Sequence, residues 1–127
     1  MEKGVRILVV EDDPDIGSML KMLLEHVGYN ITLHNNVGGI QKLLNSEAID
    51  LIILDMLIGN ANGTDVCKNI RSNFVSERIP ILMISAVPEA KNVCIKAGAS
   101  EFLSKPFEMS ELLETIDGLV KKEIIHI

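Results

Sequence analysis

The chain has 127 residues, enough to close one hydrophobic core without a disulfide or structural metal, and nothing in it suggests a second domain. Apolar residues make up 47%, yet no run approaches the roughly 18–20 needed to span a bilayer, and Met1-Glu2-Lys3 opens no signal-peptide pattern, so a cytoplasmic protein with no membrane contact is expected. A net charge of -6 with no basic cluster beyond Lys121-Lys122, and an aromatic content of 3%, argue against direct nucleic-acid binding by this segment.

Val5-Arg6-Ile7-Leu8-Val9-Val10 reads as a first strand, apolar almost throughout and therefore central in a sheet. It ends in Glu11-Asp12-Asp13-Pro14, where Asp13 suits a helix N-cap and Pro14 the first helical position. Ile16, Met19, Leu20, Leu23, Leu24 and Val27 keep the spacing of one buried helical stripe, and Gly28 supplies the stop. Asn30-Ile31-Thr32-Leu33-His34 alternates polar and apolar like an edge strand, with His34 among the solvated positions. Val37, Ile40, Leu43 and Leu44 mark a second, shorter helix.

Four aliphatic residues, Leu51-Ile52-Ile53-Leu54, lie between Asp50 and Asp55. They are too few for a helix and read as a strand covered on both faces, with Asp55 where it runs out. The following stretch from Met56 to Gly63 holds two glycines and two asparagines and reads as a loop that lets backbone approach a ligand. Val66, Ile70 and Phe74 are spaced as the buried face of a third helix. Pro80 opens a fourth strand, Ile81–Ile84, closed by Ser85; Ala90, Val93, Cys94 and Ala97 then give a narrow helical stripe that Gly98 terminates. Glu101–Ser104 is a short last strand left by Lys105-Pro106-Phe107, and Leu112, Leu113, Ile116, Leu119 and Val120 build a final amphipathic helix. Cys67 and Cys94 lack CxxC spacing and read as small core residues, while His26, His34 and His126 form no metal-ligand pattern.

This alternation predicts an α/β fold: a doubly wound five-stranded parallel sheet of flavodoxin-like type with helices on both faces and strand order 2-1-3-4-5. The domain is expected over residues 5–122, with 123–127 either extending the last helix or starting a linker to an output domain. In this order the first and third strands are neighbours about 4.8 Å apart, so Asp55 should meet Glu11 and Asp12. Crowded carboxylates recruit a cation, and an oxygen-only site favours Mg²⁺ (or Mn²⁺), which retains water and takes phosphate. Ser85 and Lys105, ending the fourth and fifth strands, would flank Asp55 from the other side. Asp55 is then a candidate nucleophile towards a phosphoryl group, with the metal and Lys105 neutralising its charge and Ser85 bonding the product.

The motifs Leu8-Val9-Val10-Glu11-Asp12-Asp13, Asp55, Ser85-Ala86 and Phe102-Leu103-Ser104-Lys105-Pro106-Phe107 together resemble the receiver domain of bacterial two-component response regulators, from Ile7 to about Val120. The resemblance implies a phosphoacceptor at Asp55 and metal held by Asp12, Asp55 and the Leu57 backbone carbonyl, with Glu11 acting through water. It also implies a cis peptide before Pro106 and a switch in which Phe102 turns inward. The implied donor is a phosphohistidine on a sensor histidine kinase or phosphotransfer protein. The implied readout face, serving an unknown downstream effector or output domain, is the fourth helix, fifth strand and fifth helix.

Three departures from that pattern stand out. Gly59 replaces a usual proline, so the loop after Asp55 is expected to be looser. The stretch from Ser85 to Lys105 is about two residues short, which predicts an atypical or mobile fourth helix. Leu57 and Val87 occupy positions that in the family help place hydrolytic water, so the aspartyl phosphate is expected to be long-lived. The competing readings are a flavodoxin-like cofactor binder, disfavoured because Glu11-Asp12-Asp13 repels phosphate; an Mg²⁺-dependent phosphatase with an Asp nucleophile, whose usual second acid is replaced by Leu57; and a degenerate receiver acting only in docking.

Overall fold

Strand β1 (Arg6–Val10), with β2 (Asn30–His34), β3 (Leu51–Asp55), β4 (Ile81–Ser85) and β5 (Glu101–Ser104), forms one sheet in the computed structural model, which describes residues 4–125. All four pairings are parallel and the order is β2-β1-β3-β4-β5, as the patterning predicts. Among the described residues four helices connect the strands, α1 (Pro14–Val27), α2 (Ile40–Ser46), α3 (Gly63–Arg71) and α4 (Lys91–Ala97), and a fifth, α5 (Met109–Ile125), follows the last strand. Because successive strand side chains point to opposite faces, the sheet feeds two apolar layers. Leu8, Val10, Ile52, Leu54, Ile81 and Met83 pack against α2, α3 and α4. Ile7, Val9, Leu51, Ile53, Leu82 and Ile84 pack against α1 and α5.

The helix starts are set by side chains that accept backbone N–H groups. Asp13 accepts from Asp15 and Ile16 ahead of α1, with Pro14 following as expected, and Asn62 accepts from Thr64 ahead of α3. The buried stripe of α1 is narrower than the spacing suggests: Gly17, Leu20 and Leu24 are inside, whereas Met19 and Val27 are exposed. Val93 of α4 is exposed as well, leaving Cys94 and Ala97 to anchor that helix together with Ala90 just before it. Cys67 and Cys94 are buried, free thiols, as expected of small core residues.

Phe74 corrects the sequence reading most sharply. It is 88% exposed and lies beyond α3, which stops at Arg71. Local bonds end the helix there: the Asn73 carboxamide accepts the Val75 N–H, and the buried Ser76 hydroxyl donates to the Ile70 carbonyl at 2.8 Å. The segment after Asp55 also differs from the expected loose loop. Leu57–Ile58 and Ala61–Asn62 pair as a small antiparallel hairpin, turning at Gly59 with φ +61°. Helix α4 has only 7 residues and is led in by a 3₁₀ turn at Pro88–Ala90, which agrees with the expected shortening. Helix α5 runs to Ile125, so residues 123–125 continue the helix, while Met1–Lys3 and His126–Ile127 lie outside the described residues. No described helix is long and apolar enough to cross a membrane.

Arg71 joins three segments that the sheet alone does not hold together. Its guanidinium donates to the carbonyls of Gly98 at 2.8 Å, Glu77 at 3.2 Å and Ile79, and to the Ser100 hydroxyl at 3.2 Å. Removing it strands several carbonyls around the end of α4 and the approach to β4. Arg71→Met should therefore lower the free energy of unfolding by about 2–3 kcal/mol. Urea titration is expected to show a reduced midpoint with an unchanged slope.

Candidate functional site

The register of the sheet builds the site. Val10 pairs with Leu54 across β1 and β3, which sets Glu11 level with Asp55 at the carboxyl end of the sheet. Asp55 pairs with Ile84, and Ser85 with Ser104, so Ser85 and Lys105 arrive on the other side of the same acid. In an open parallel sheet this end is where ligands gather.

Three of the predicted side chains meet directly. Lys105 Nζ donates to Asp55 Oδ2 at 2.8 Å and lies 3.6 Å from Glu11 Oε1, with the side chains of Glu11 and Asp55 only 6% and 12% exposed. A buried and a largely buried carboxyl thus share one ammonium. Burial raises the Glu11 carboxyl to about 7; the Asp13 N–H on Glu11 works against the rise, while repulsion from Asp55 and a hydrogen bond to it add to it. For Lys105, burial disfavours the charge, but the hydrogen bond and attraction to Asp55, with Glu11 behind, outweigh it and the pKa is raised.

Asp12 departs from the predicted convergence. Its carboxylate is exposed and accepts the Gly59 N–H at 2.7 Å instead of facing Asp55. Among the described residues no three acid, histidine or cysteine side chains stand close enough to form a metal cluster, so two carboxyls converge rather than three. The physical reason is like-charge repulsion beside an N–H that takes the third acid at no such cost. Ser85 is 4% exposed, and its Oγ accepts the Val87 N–H at 3.0 Å. The Leu57 N–H donates to Asp55 Oδ1 at 3.1 Å, while the Leu57 side chain is 67% exposed. Phe102 is half-buried against the core layer that contains Ala90, Cys94 and Ala97. The Lys105–Pro106 peptide is cis, as expected.

Sequence reasoning missed Gly63. A Cβ there would run into the Asp55 carbonyl oxygen and would stand 2.9 Å from Met56 Cα, so only glycine lets the start of α3 close beneath the acid. The triplet Asn62-Gly63-Thr64, a capping residue before a helix with glycine inside the first turn, is the signal that could have found it. Gly59 was seen as a departure, but its N–H is what anchors Asp12.

The donor set suits a hard divalent cation. All available donors are oxygens, and two acids converge on the single ammonium of Lys105.

Known proteins share this sequence pattern and fold. Response regulator ArlR of Staphylococcus saprophyticus is 32% identical over 93% of this chain and 53% of its own length. The chain spans about half the length of the curated relatives it matches. The receiver domain of a Francisella response regulator superposes with a TM-score of 0.86 at 26% identity, covering 94% of this chain and 99% of that one. The receiver domain of a sensor histidine kinase from Pseudomonas aeruginosa superposes with a TM-score of 0.84 at 26% identity, again over 94% and 99%, and carries a magnesium ion in its active-site cleft. The sequence model of the response regulator receiver domain matches residues 7–117, and the chain belongs to that family.

Proposed function

We propose that this domain accepts a phosphoryl group on Asp55 from a phosphohistidine on a sensor histidine kinase or phosphotransfer protein in the cytoplasm, and passes the signal to a downstream effector or output domain. The observation that carries this reading is the 2.8 Å contact of Lys105 with Asp55 at the carboxyl end of the sheet in a chain of this family. A carboxylate oxygen of Asp55 attacks phosphorus, the bond from phosphorus to the donor imidazole breaks, and the leaving ring keeps the bonding pair. Lys105 neutralises the developing charge on the phosphoryl oxygens, and the Leu57 N–H holds the carboxylate in place. Mg²⁺ or Mn²⁺ would be held by Asp12, Asp55 and the Leu57 carbonyl, with Glu11 through water, and supplies charge neutralisation on the phosphoryl oxygens when bound. Asp12 Oδ2 accepts the Gly59 N–H, which leaves Oδ1 for a metal.

The readout follows from what Ser85 touches. Turning its hydroxyl towards the new phosphoryl group withdraws Oγ from the Val87 N–H, directly ahead of the 3₁₀ turn and α4. Space opened there lets Phe102 turn inward and alters the face of α4, β5 and α5 that a partner reads. The domain is thus regulatory, with phosphoryl transfer and slow loss of phosphate as its own chemistry. The phosphatase reading would need an acid in place of Leu57.

Incubation with acetyl phosphate and Mg²⁺ should add the mass of one phosphoryl group to the wild type and none to Asp55→Ala, read by intact mass spectrometry. Omitting the metal or adding a chelator should abolish the gain. Unmodified wild-type protein would reject the assignment, and turnover of small phosphate esters would favour the phosphatase. The lifetime of the modification gives a separate check. Leu57 and Val87 are 67% and 52% exposed and neither can orient water, so the phosphorylated, kinase-free protein should lose its phosphate slowly. Leu57→Glu should speed that loss at least about tenfold, below the ~10²–10⁴-fold that positioned acid–base groups contribute.

A further inference from the structure

At the end of the sheet remote from Asp55 lies a groove of about 340 Å³ lined by Ile49, Asp50, Phe74, Val75, Arg78 and Pro80 among others. Phe74 and Val75 stand out from it, 88% and 57% exposed. The turn that carries them is tightly tied. Ser76 is fully buried, donates to the Ile70 carbonyl at 2.8 Å and accepts from Gln41 Nε2 at 3.2 Å. The Asn73 carboxamide holds the Val75 N–H at 3.1 Å, and Arg71 holds the carbonyls of Glu77 and Ile79. An aromatic side chain displayed on a turn ordered in advance loses little conformational freedom when it is covered, which is how a contact residue is prepared.

The charges beside Phe74 identify what covers it. Glu77 and Arg78 are adjacent, exposed and opposite in sign, and among the described residues neither side chain forms an ion pair within its own chain. A protruding ring, a groove and both signs of charge therefore occupy one patch. A surface of that kind is self-complementary across a two-fold axis, where each ring enters the facing groove and each Glu77 meets the facing Arg78. We propose that this patch is an isologous contact between two copies of the chain.

The contact lies where β3 and β4 begin, whereas Asp55 and Ser85 end the same strands, so both acid sites stay open at the outer ends of such a pair. The proposal does not depend on the phosphoacceptor reading. The contact is small: a buried aromatic contributes about 150–250 Å². It falls below the ~1,200 Å² of a standard interface, which puts it among weak, transient contacts.

Sedimentation velocity of the unphosphorylated protein from about 10 µM to about 1 mM brackets an equilibrium of that strength. The wild type should pass from monomer to dimer across the range. Phe74→Ser, checked as folded by circular dichroism, should weaken association at least about thirtyfold, as loss of a central aromatic contact does. Arg78→Glu should also weaken it, and adding Glu77→Arg to Arg78→Glu should bring the dimer back. A monomer at every concentration, which would leave the turn to another occupant, overturns the proposal. So does a dimer indifferent to Phe74→Ser, or a double charge reversal that fails to recover what the single reversal lost.

Discussion

Two carboxyls, one buried and one largely so, share a single ammonium at the end of β1, β3 and β5, and the rest of the site is arranged around that imbalance. Lys105 satisfies Asp55 closely, at 2.8 Å, and Glu11 only loosely, at 3.6 Å. Burial, with Asp55 beside it, raises the Glu11 carboxyl to about 7, and Asp12 bonds a backbone N–H instead. Each adjustment lowers the negative charge at the centre without removing an acid from the sequence. A cluster that holds its charge in check by protonation and rotation is one that a divalent cation can reorganise. Partly buried ion pairs of this kind contribute little net stability, because desolvation offsets most of the attraction.

Folding stability comes from the two apolar layers, and their rigidity is what makes the site precise. Strand side chains such as Ile52, Leu54, Leu82 and Ile84 are almost wholly enclosed, so the ends of β3 and β4 have little freedom to shift. Gly63 adds a second constraint from below, since α3 begins close enough to Asp55 that a methyl group would not fit. The acid is thereby placed by backbone contacts on both sides, while Asp12, the Gly59 turn and the Ser85 hydroxyl are held by single hydrogen bonds to backbone N–H groups.

The strands were legible because a parallel strand covered on both faces must be almost continuously apolar, a signal that β1, β3 and β4 give without ambiguity. The strand order and the meeting of Glu11, Asp55 and Lys105 followed from it, since topology alone sets which strand ends are adjacent. The failures lie where side chains bond to backbone instead of burying surface. Phe74 has helical spacing from Ile70, yet Asn73 and Ser76 capture the peptide groups that would have continued α3. Asp12 is a neighbour of Glu11 in sequence, and no pattern of residue types announces that the Gly59 N–H will claim it. The long reach of Arg71 to Gly98 and Ile79 has no local signature either, because it joins segments brought together only by the finished fold.

The same distinction bears on the proposed response of α4 to events at Asp55. A helix of 7 residues is far below the roughly 12–15 at which an isolated helix becomes even marginally stable, so α4 exists only through its tertiary contacts. Those contacts are modest: its buried residues are Cys94 and Ala97, Ala90 lies in the turn before it, and Val93 and Ile95 face outward. Its C-terminal end is fixed by Arg71 on the Gly98 carbonyl, whereas the turn leading into its N-terminal end begins at Val87, whose N–H rests on the Ser85 hydroxyl. A helix held firmly at one end and through one hydroxyl ahead of the other needs little work to re-seat. That hydroxyl ends the strand next to the one that Asp55 ends, so under the proposed function a charge carried by Asp55 would reach the lead-in to α4 through it.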